Sequence, residues 1–148
     1  MMEDLRELYQ QLILDHSQNP KNFHEMEHPT HTAEGDNPLC GDEVTVYLKV
    51  EDDVIKDVSF VGSGCAISKA SSSIMTETLK GKTIEEAHTI FDLFHRMITT
   101  GETDSAQEEK MAVLAGVHKF PSRVKCAMLA WHSAISAIDK KEETVSTE

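Results

Sequence analysis

VTVYLKV, residues 44–50, then EDD, residues 51–53, then VIKDVSFV, residues 54–61, is the stretch that decides the fold class. Val44, Val46, Leu48 and Val50 alternate with Thr45, Tyr47 and Lys49, a period of two that marks a half-buried strand. The second run carries Val58 and Phe60 on one face. Two short strands around an acidic turn read as an antiparallel hairpin. A hairpin alone is marginally stable, so helices must cover one of its faces.

The flanking sequence supplies those helices. Upstream, Leu5, Leu8, Tyr9, Leu12 and Ile13 form one apolar stripe of a helix that ends near His16–Ser17, ahead of Asn19-Pro20. Residues 18–39 read mostly as loop, with a short strand around His31–Glu34. A connection that long is unusual in a compact domain, and such loops often carry function. Downstream, Gly62-Ser63-Gly64-Cys65 is a tight turn into a helix from about Ala66 to Leu79, stopped by Gly81. Its Ile67, Ala70, Ile74 and Thr78 share a face, and the serine cluster Ser71–Ser73 is the one low-complexity segment. Thr83 with Glu86 makes a capping box for the next helix, with Ile84, Ala87, Phe91, Phe94 and Ile98 apolar and Gly101 closing it. Residues 102–106 are a polar linker, and Ser105 with Glu108 opens a short helix through Leu114. Pro121 and Ser122 introduce the last helix, with Val124, Ala127, Trp131, Ala134 and Ile138 as its apolar positions. The tail from Lys140 is expected to be solvated and frayed. The expectation is one domain over residues 1–148 and an α+β fold, a small antiparallel sheet covered on one face by several helices.

Length and charge narrow the function classes. A chain of 148 residues buries about 68–70% of its unfolded surface and needs no disulfides to hold a core. Fourteen Lys and Arg stand against 26 Asp and Glu, a net charge of −12. That balance argues against nucleic acid and against an anionic membrane surface. No apolar run approaches a membrane span. The N-terminus MMEDLRELYQ has neither a basic nor an apolar leader region. The expected compartment is a reducing cytoplasm, where thiols stay free.

Three cysteines are the informative residues. Cys40 lies in Pro38-Leu39-Cys40-Gly41-Asp42, Cys65 follows Gly62-Ser63-Gly64, and Cys126 is read into the first turn of the last helix. A helix N-terminus stabilises a thiolate through its free N–H groups and dipole. One reading is three unrelated thiols, since free Cys often packs as a small hydrophobe. The other is convergence, in which three thiolates and the Asp42 carboxylate supply four ligands for zinc or for one edge of an iron–sulfur cluster. Asp42 reads equally as a turn residue after glycine. No Cys-x-x-Cys is present, so spacing alone does not decide. Four anionic ligands on Zn²⁺ leave a charge of about −2, which calls for a surface position or neighbouring cations such as Arg123 and Lys125. The eight histidines offer no obvious ligand. His16, His24, His28 and His31 read as solvent-facing, His132 points about 120° from Cys126 on a helix, and His118 precedes the last helix. No histidine is placed to serve as the base of a cysteine hydrolase.

The segments NPLCGDEVTVYLKV (37–50), VGSGCAISKASSSIMTETLKGK (61–82) and FPSRVKCAMLAWHSAI (120–135), in that order, resemble the NifU N-terminal/IscU family of iron–sulfur cluster assembly proteins. Within it they resemble the SufU branch. The 60 residues between Cys65 and Cys126 make a longer interval than in IscU, and Lys125 stands where IscU proteins carry a histidine. The resemblance implies that Cys40, Asp42, Cys65 and Cys126 form one surface site holding Zn²⁺. It further implies that Cys40 accepts persulfide sulfur from a PLP-dependent cysteine desulfurase of the SufS type and passes it to downstream iron–sulfur assembly proteins. For that transfer Cys40 must leave the metal, with a partner ligand such as a histidine taking its place. The sequence then reads as a zinc-dependent sulfurtransferase working with a desulfurase rather than as a stand-alone enzyme. Two alternatives remain: a scaffold on which Cys40, Cys65 and Cys126 hold a [2Fe–2S] cluster, and a zinc-stabilised interaction module without chemistry. The segment FPSRVK is altered from the chaperone-recognition segment of IscU, so a dedicated Hsp70-type partner is not implied.

Overall fold

The computed structural model describes residues 2–103, 109–139 and 145–146. In chain order the elements are α1 (Met2–Gln18), β1 (His31–Asn37), β2 (Asp42–Glu51), β3 (Val54–Ser63), α2 (Ala66–Leu79), α3 (Ile84–Thr100), α4 (Glu109–Ala112), a 3-10 turn (Ala115–Lys119), α5 (Pro121–Ile138) and β4 (Val145–Ser146). The sheet order is β3-β2-β1-β4, with β1, β2 and β3 antiparallel. The expected α+β class is the observed one.

Alternation decides which face of the sheet is covered. Val44, Val46 and Leu48 of β2 are buried, and opposite them stand Val58 and Phe60 of β3, also buried. The intervening Thr45, Tyr47 and Lys49 are half-buried. The β2–β3 turn is two residues long, and Asp52 and Asp53 both adopt positive φ, as a hairpin turn twisted to match its strands requires. Helices α2 and α5 lie over the apolar face, α3 packs on α5, and α1 packs on α2.

Helix α5 is the centre of the core. Ala127, Trp131, Ala134 and Ile138 are buried, as their spacing predicts. The Trp131 indole stacks on Phe94 of α3 with ring centroids 4.1 Å apart. Its Nε1–H donates to Ser71 Oγ of α2 at 3.0 Å, and that hydroxyl donates to the Ala127 carbonyl. Ser71 and Ser73 of the serine cluster are therefore buried ties to other elements, while Ser72 donates to the Ser68 carbonyl of its own helix. Ser73 Oγ accepts from the Lys21 backbone N–H and meets His16 Nδ1 at 2.7 Å, fastening α1 and the loop behind it to α2.

Several expectations shift. The strand around His31–Glu34 runs on to Asn37, because its whole length pairs with β2 from Leu48 back to Asp42. The connection after α1 is clamped to the sheet, since Phe23 bridges Phe60 and the Phe60 N–H donates to the Asn22 carbonyl. The capping box at Thr83 and Glu86 is present, and Gly101 caps α3 in the left-handed conformation. The box at Ser105 and Glu108 falls outside the described residues. The short helix after it stops at Ala112, and a 3-10 turn precedes α5. The tail beyond residue 139 was expected to be solvated. Its Val145–Ser146 instead pair in parallel with Gly35–Asp36, because β1 has a free edge on that side. No helix among the described residues is long and apolar enough to cross a membrane.

Candidate metal centre

Asp42 is the first residue of β2, fully buried, and opposite Asn37, the last residue of β1. Between them Pro38-Leu39-Cys40-Gly41 forms the β1–β2 turn, closed by the Cys40 N–H donating to the Asn37 carbonyl at 3.1 Å. Gly41 turns with φ +71, a conformation that glycine adopts without steric cost. Cys40 thus sits half-exposed at a hairpin tip beside Leu39, whose side chain is 70% exposed.

Cys65 is the N-cap of α2, and its sulfur accepts from the Ser68 N–H at 3.4 Å. Its own N–H donates to Asp42 Oδ1 at 2.8 Å, and its Sγ lies 4.0 Å from Asp42 Oδ2. Gly64 makes this approach feasible. A Cβ placed there would collide with the Asp42 carboxylate.

Cys126 is in the second turn of α5, five residues beyond the first helical residue, rather than in the first turn. Its Sγ donates to the Ser122 carbonyl at 3.5 Å, four residues back, so it belongs to the helix body. Only Cys65 stands at a helix N-terminus, because Phe120, not a residue nearer Cys126, caps α5. Cys126 is buried, with 1% of its surface exposed.

Among the described residues, the ligand atoms of Cys40, Asp42 and Cys126 all lie within 4.8 Å of one another. Cys65 borders the group through Asp42, with its sulfur turned toward the α2 N-terminus. In a tetrahedral zinc site with Zn–S near 2.3 Å, neighbouring sulfurs stand about 3.8 Å apart. Three sulfurs and one carboxylate also match the chemistry of zinc and of iron–sulfur ligation.

The electrostatics are those of crowded anions. Burial, followed by hydrogen bonds with Asp42 and Cys40 and then the charges of Cys65 and Asp42, pushes the Cys126 thiol up. An ordinary thiol so placed stays protonated, and a divalent cation is the natural means of making it a thiolate. Arg123 is the cation the sequence suggested. Its exposed guanidinium is held more firmly protonated by the charge of Cys65, then by hydrogen bonding to Cys126. Lys125, the other candidate, is half-buried.

The histidines lie elsewhere. His118 Nδ1 meets the Ala115 carbonyl at 2.8 Å, and its ring packs over Gly101. His132 packs edge-on to Phe91, and burial followed by the charge of His95 pulls its pKa down. His16, expected in solvent, is part-buried against Ser73. Sequence reasoning missed Asn37. It is fully buried, and its Nδ2 donates to Cys126 Sγ at 3.6 Å. The only sequence cue is an Asn-Pro pair ahead of Cys40, which reads as a turn rather than as the last rung of a strand.

The sequence profile of the NifU-like N terminal domain matches residues 8–143. The chain is 39% identical over 141 residues to the "Iron-sulfur cluster assembly scaffold protein IscU" of Streptococcus pyogenes serotype M1, covering 94% of this chain and 87% of that one. It is 39% identical over 140 residues to the "Zinc-dependent sulfurtransferase SufU" of Bacillus subtilis (strain 168), covering 94% and 95%. The crystal structure of a nitrogen-fixing NifU-like protein (N-terminal) from Brucella abortus superposes with a TM-score of 0.80 at 28% identity, covering 96% and 98%. With the three cysteine segments carried on this sheet-and-helix frame, the chain belongs to the NifU-like N-terminal domain family, that of the IscU and SufU iron–sulfur cluster assembly proteins.

Proposed function

We propose that this protein is a zinc-bound sulfur acceptor, taking persulfide sulfur on Cys40 from a PLP-dependent cysteine desulfurase of the SufS type and handing it to iron–sulfur cluster assembly. The carrying observation is the unequal setting of the thiols. Cys40 is half-exposed on a hairpin tip, Cys65 caps a helix, and Cys126 is buried. Of the three, Cys40 is the one that a large partner can reach without disturbing a helix.

Cys40, Asp42, Cys65 and Cys126 would hold the metal. When bound, zinc keeps sulfur as thiolate at neutral pH, against a free-thiol pKa of about 8.5. In the transfer, the Cys40 thiolate attacks the outer sulfur of the desulfurase persulfide. A new S–S bond forms on Cys40, the old S–S bond breaks, and the desulfurase thiolate leaves with the electron pair. No external oxidant or reductant is needed for that step. The reaction suits a reducing cytoplasm, in keeping with three cysteines that are all free. The name of the Bacillus subtilis relative supports the zinc and the sulfur-transfer reading together.

The test is sulfide release by the desulfurase with and without this protein. Wild type is expected to stimulate it and Cys40→Ala to abolish the stimulation. Equal stimulation by Cys40→Ala defeats the proposal.

A second reading, a scaffold for a [2Fe–2S] cluster on Cys40, Cys65 and Cys126, is supported by the name of the Streptococcus pyogenes relative. Anaerobic isolation separates the two. A coloured protein with iron and labile sulfide favours the scaffold, and a colourless one with one tightly held zinc favours sulfur transfer.

A further inference from the structure

We infer that Asn37 is a positioning residue that weakens Cys126 as a nucleophile and holds it as a retained sulfur of the site. The inference deepens the sulfur-acceptor reading and rests on it for the role of Cys40.

Asn37 touches the whole group. Its backbone carbonyl accepts the Cys40 N–H, its strand partner is Asp42, and its side-chain Nδ2 donates to Cys126 Sγ at 3.6 Å. The residue is fully buried, and its Oδ1 is buried with no hydrogen-bond partner among the described residues. A fully buried amide with an unsatisfied oxygen is a poor choice for packing alone, since an apolar side chain of the same shape would avoid that loss. The arrangement becomes intelligible if the amide serves the sulfur. A metal-bound thiolate has only lone pairs to offer, so the N–H side of the amide must face it.

An N–H···S bond draws charge from the sulfur and lowers its nucleophilicity without removing it from the metal, as outer partners of metal ligands do. Cys126 receives this donor beside the hydrogen bond from Arg123, and among the described residues no side-chain amide donates to Cys40. Three thiolates share the site, and burial already sets Cys126 apart from the half-exposed Cys40 and Cys65. The Asn37 amide adds to that difference by lowering the nucleophilicity of the Cys126 sulfur itself.

The test uses the full chain loaded with cobalt(II) or zinc. Asn37→Leu keeps the shape and removes the donor, and Asn37→Asp removes the donor while keeping polarity. Both are expected to move the sulfur-to-cobalt charge-transfer band to lower energy. In the zinc form both should raise iodoacetamide labelling of Cys126 several-fold, with Cys40 labelling unchanged. Persulfide mapping after incubation with the desulfurase is expected to find sulfur on Cys40 in wild type, the buried Cys126 being out of reach of a large partner. Metal-free Asn37→Leu should melt no lower than wild type, because the orphaned oxygen goes with the donor. A cobalt band and Cys126 labelling unchanged in both variants overturn the inference, as does a lowered metal-free melting temperature with no spectral change. If Asn37→Leu does not fold, the band position in Asn37→Asp decides. Wild-type protein that collects no persulfide on Cys40 defeats the sulfur-acceptor reading instead, and the cobalt band still decides the role of Asn37.

Discussion

Replacing Gly64 by alanine tests whether the Asp42 carboxylate is held by the shape of the Gly62–Cys65 segment. The three atoms nearest to a Cβ at Gly64 are all from Asp42, with Cγ at 3.0 Å and Cβ at 3.1 Å, and Oδ1 nearer still. Asp42 is fully buried, and its Oδ1 accepts the Cys65 N–H at 2.8 Å. The carboxylate cannot turn aside without giving up that bond. Overpacking of this kind costs about 1–3 kcal/mol. Losing a hydrogen bond to a charged acceptor adds about 1.5–3 kcal/mol. Because moving the carboxylate relieves the first while incurring the second, the two do not sum fully, and a net loss of about 3 kcal/mol is expected. For a chain of this length that lowers the melting temperature by about 6–12 °C. Zinc affinity should fall with it, because Asp42 is displaced from the group it shares with Cys40 and Cys126. Gly116→Ala, with no atom within 4 Å of the new Cβ and no positive φ, is the neutral control. The assay is thermal melting in chelator, paired with a zinc competition titration. A Gly64→Ala protein that melts with wild type and binds zinc equally well refutes the packing argument.

Three further outcomes are expected. Ser71→Ala leaves the buried Trp131 N–H without its acceptor and should cost about 1–3 kcal/mol in urea unfolding followed by the emission of the chain's one tryptophan. His132 is held neutral in the fold by burial and then by His95, so its folded pKa lies below its unfolded value near 6.5. The unfolded chain then binds the extra proton as pH falls through that window, stability drops there, and His132→Phe should flatten this part of a stability-against-pH curve. Zinc at about 100 times its dissociation constant should stabilise wild type by about 2.7 kcal/mol, and chelation should remove the gain. Asp42→Ala should show less than wild type at the same zinc concentration by differential scanning calorimetry.

Much of the fold was legible because its periods are strong. The alternation in β2 and the stripe Ala127, Trp131, Ala134, Ile138 each place residues inside that are inside. The Cys40 and Cys65 segments stood out because glycine or proline frames them at element boundaries. Other features obey no period. Ser71 and Ser73 look like a polar surface run and are buried ties, since their partners Trp131 and Lys21 lie 60 and 52 residues away in the chain. Asn37 reads as a turn residue because its sulfur partner is 89 residues distant.

The sequence by itself determined the α+β class, the antiparallel hairpin and the helical faces, which follow from local spacing, while the candidate ligands came from the resemblance of the three cysteine segments to a known family. The tertiary structure alone decided that Cys40 stands on a hairpin tip, that Asp42 is buried against Gly64, and that Cys126 lies within the body of α5 under the Asn37 amide. These are contacts between residues far apart in the chain, and their distances are set by how β1 pairs with β2 and how α5 lies across the sheet. No local propensity encodes them.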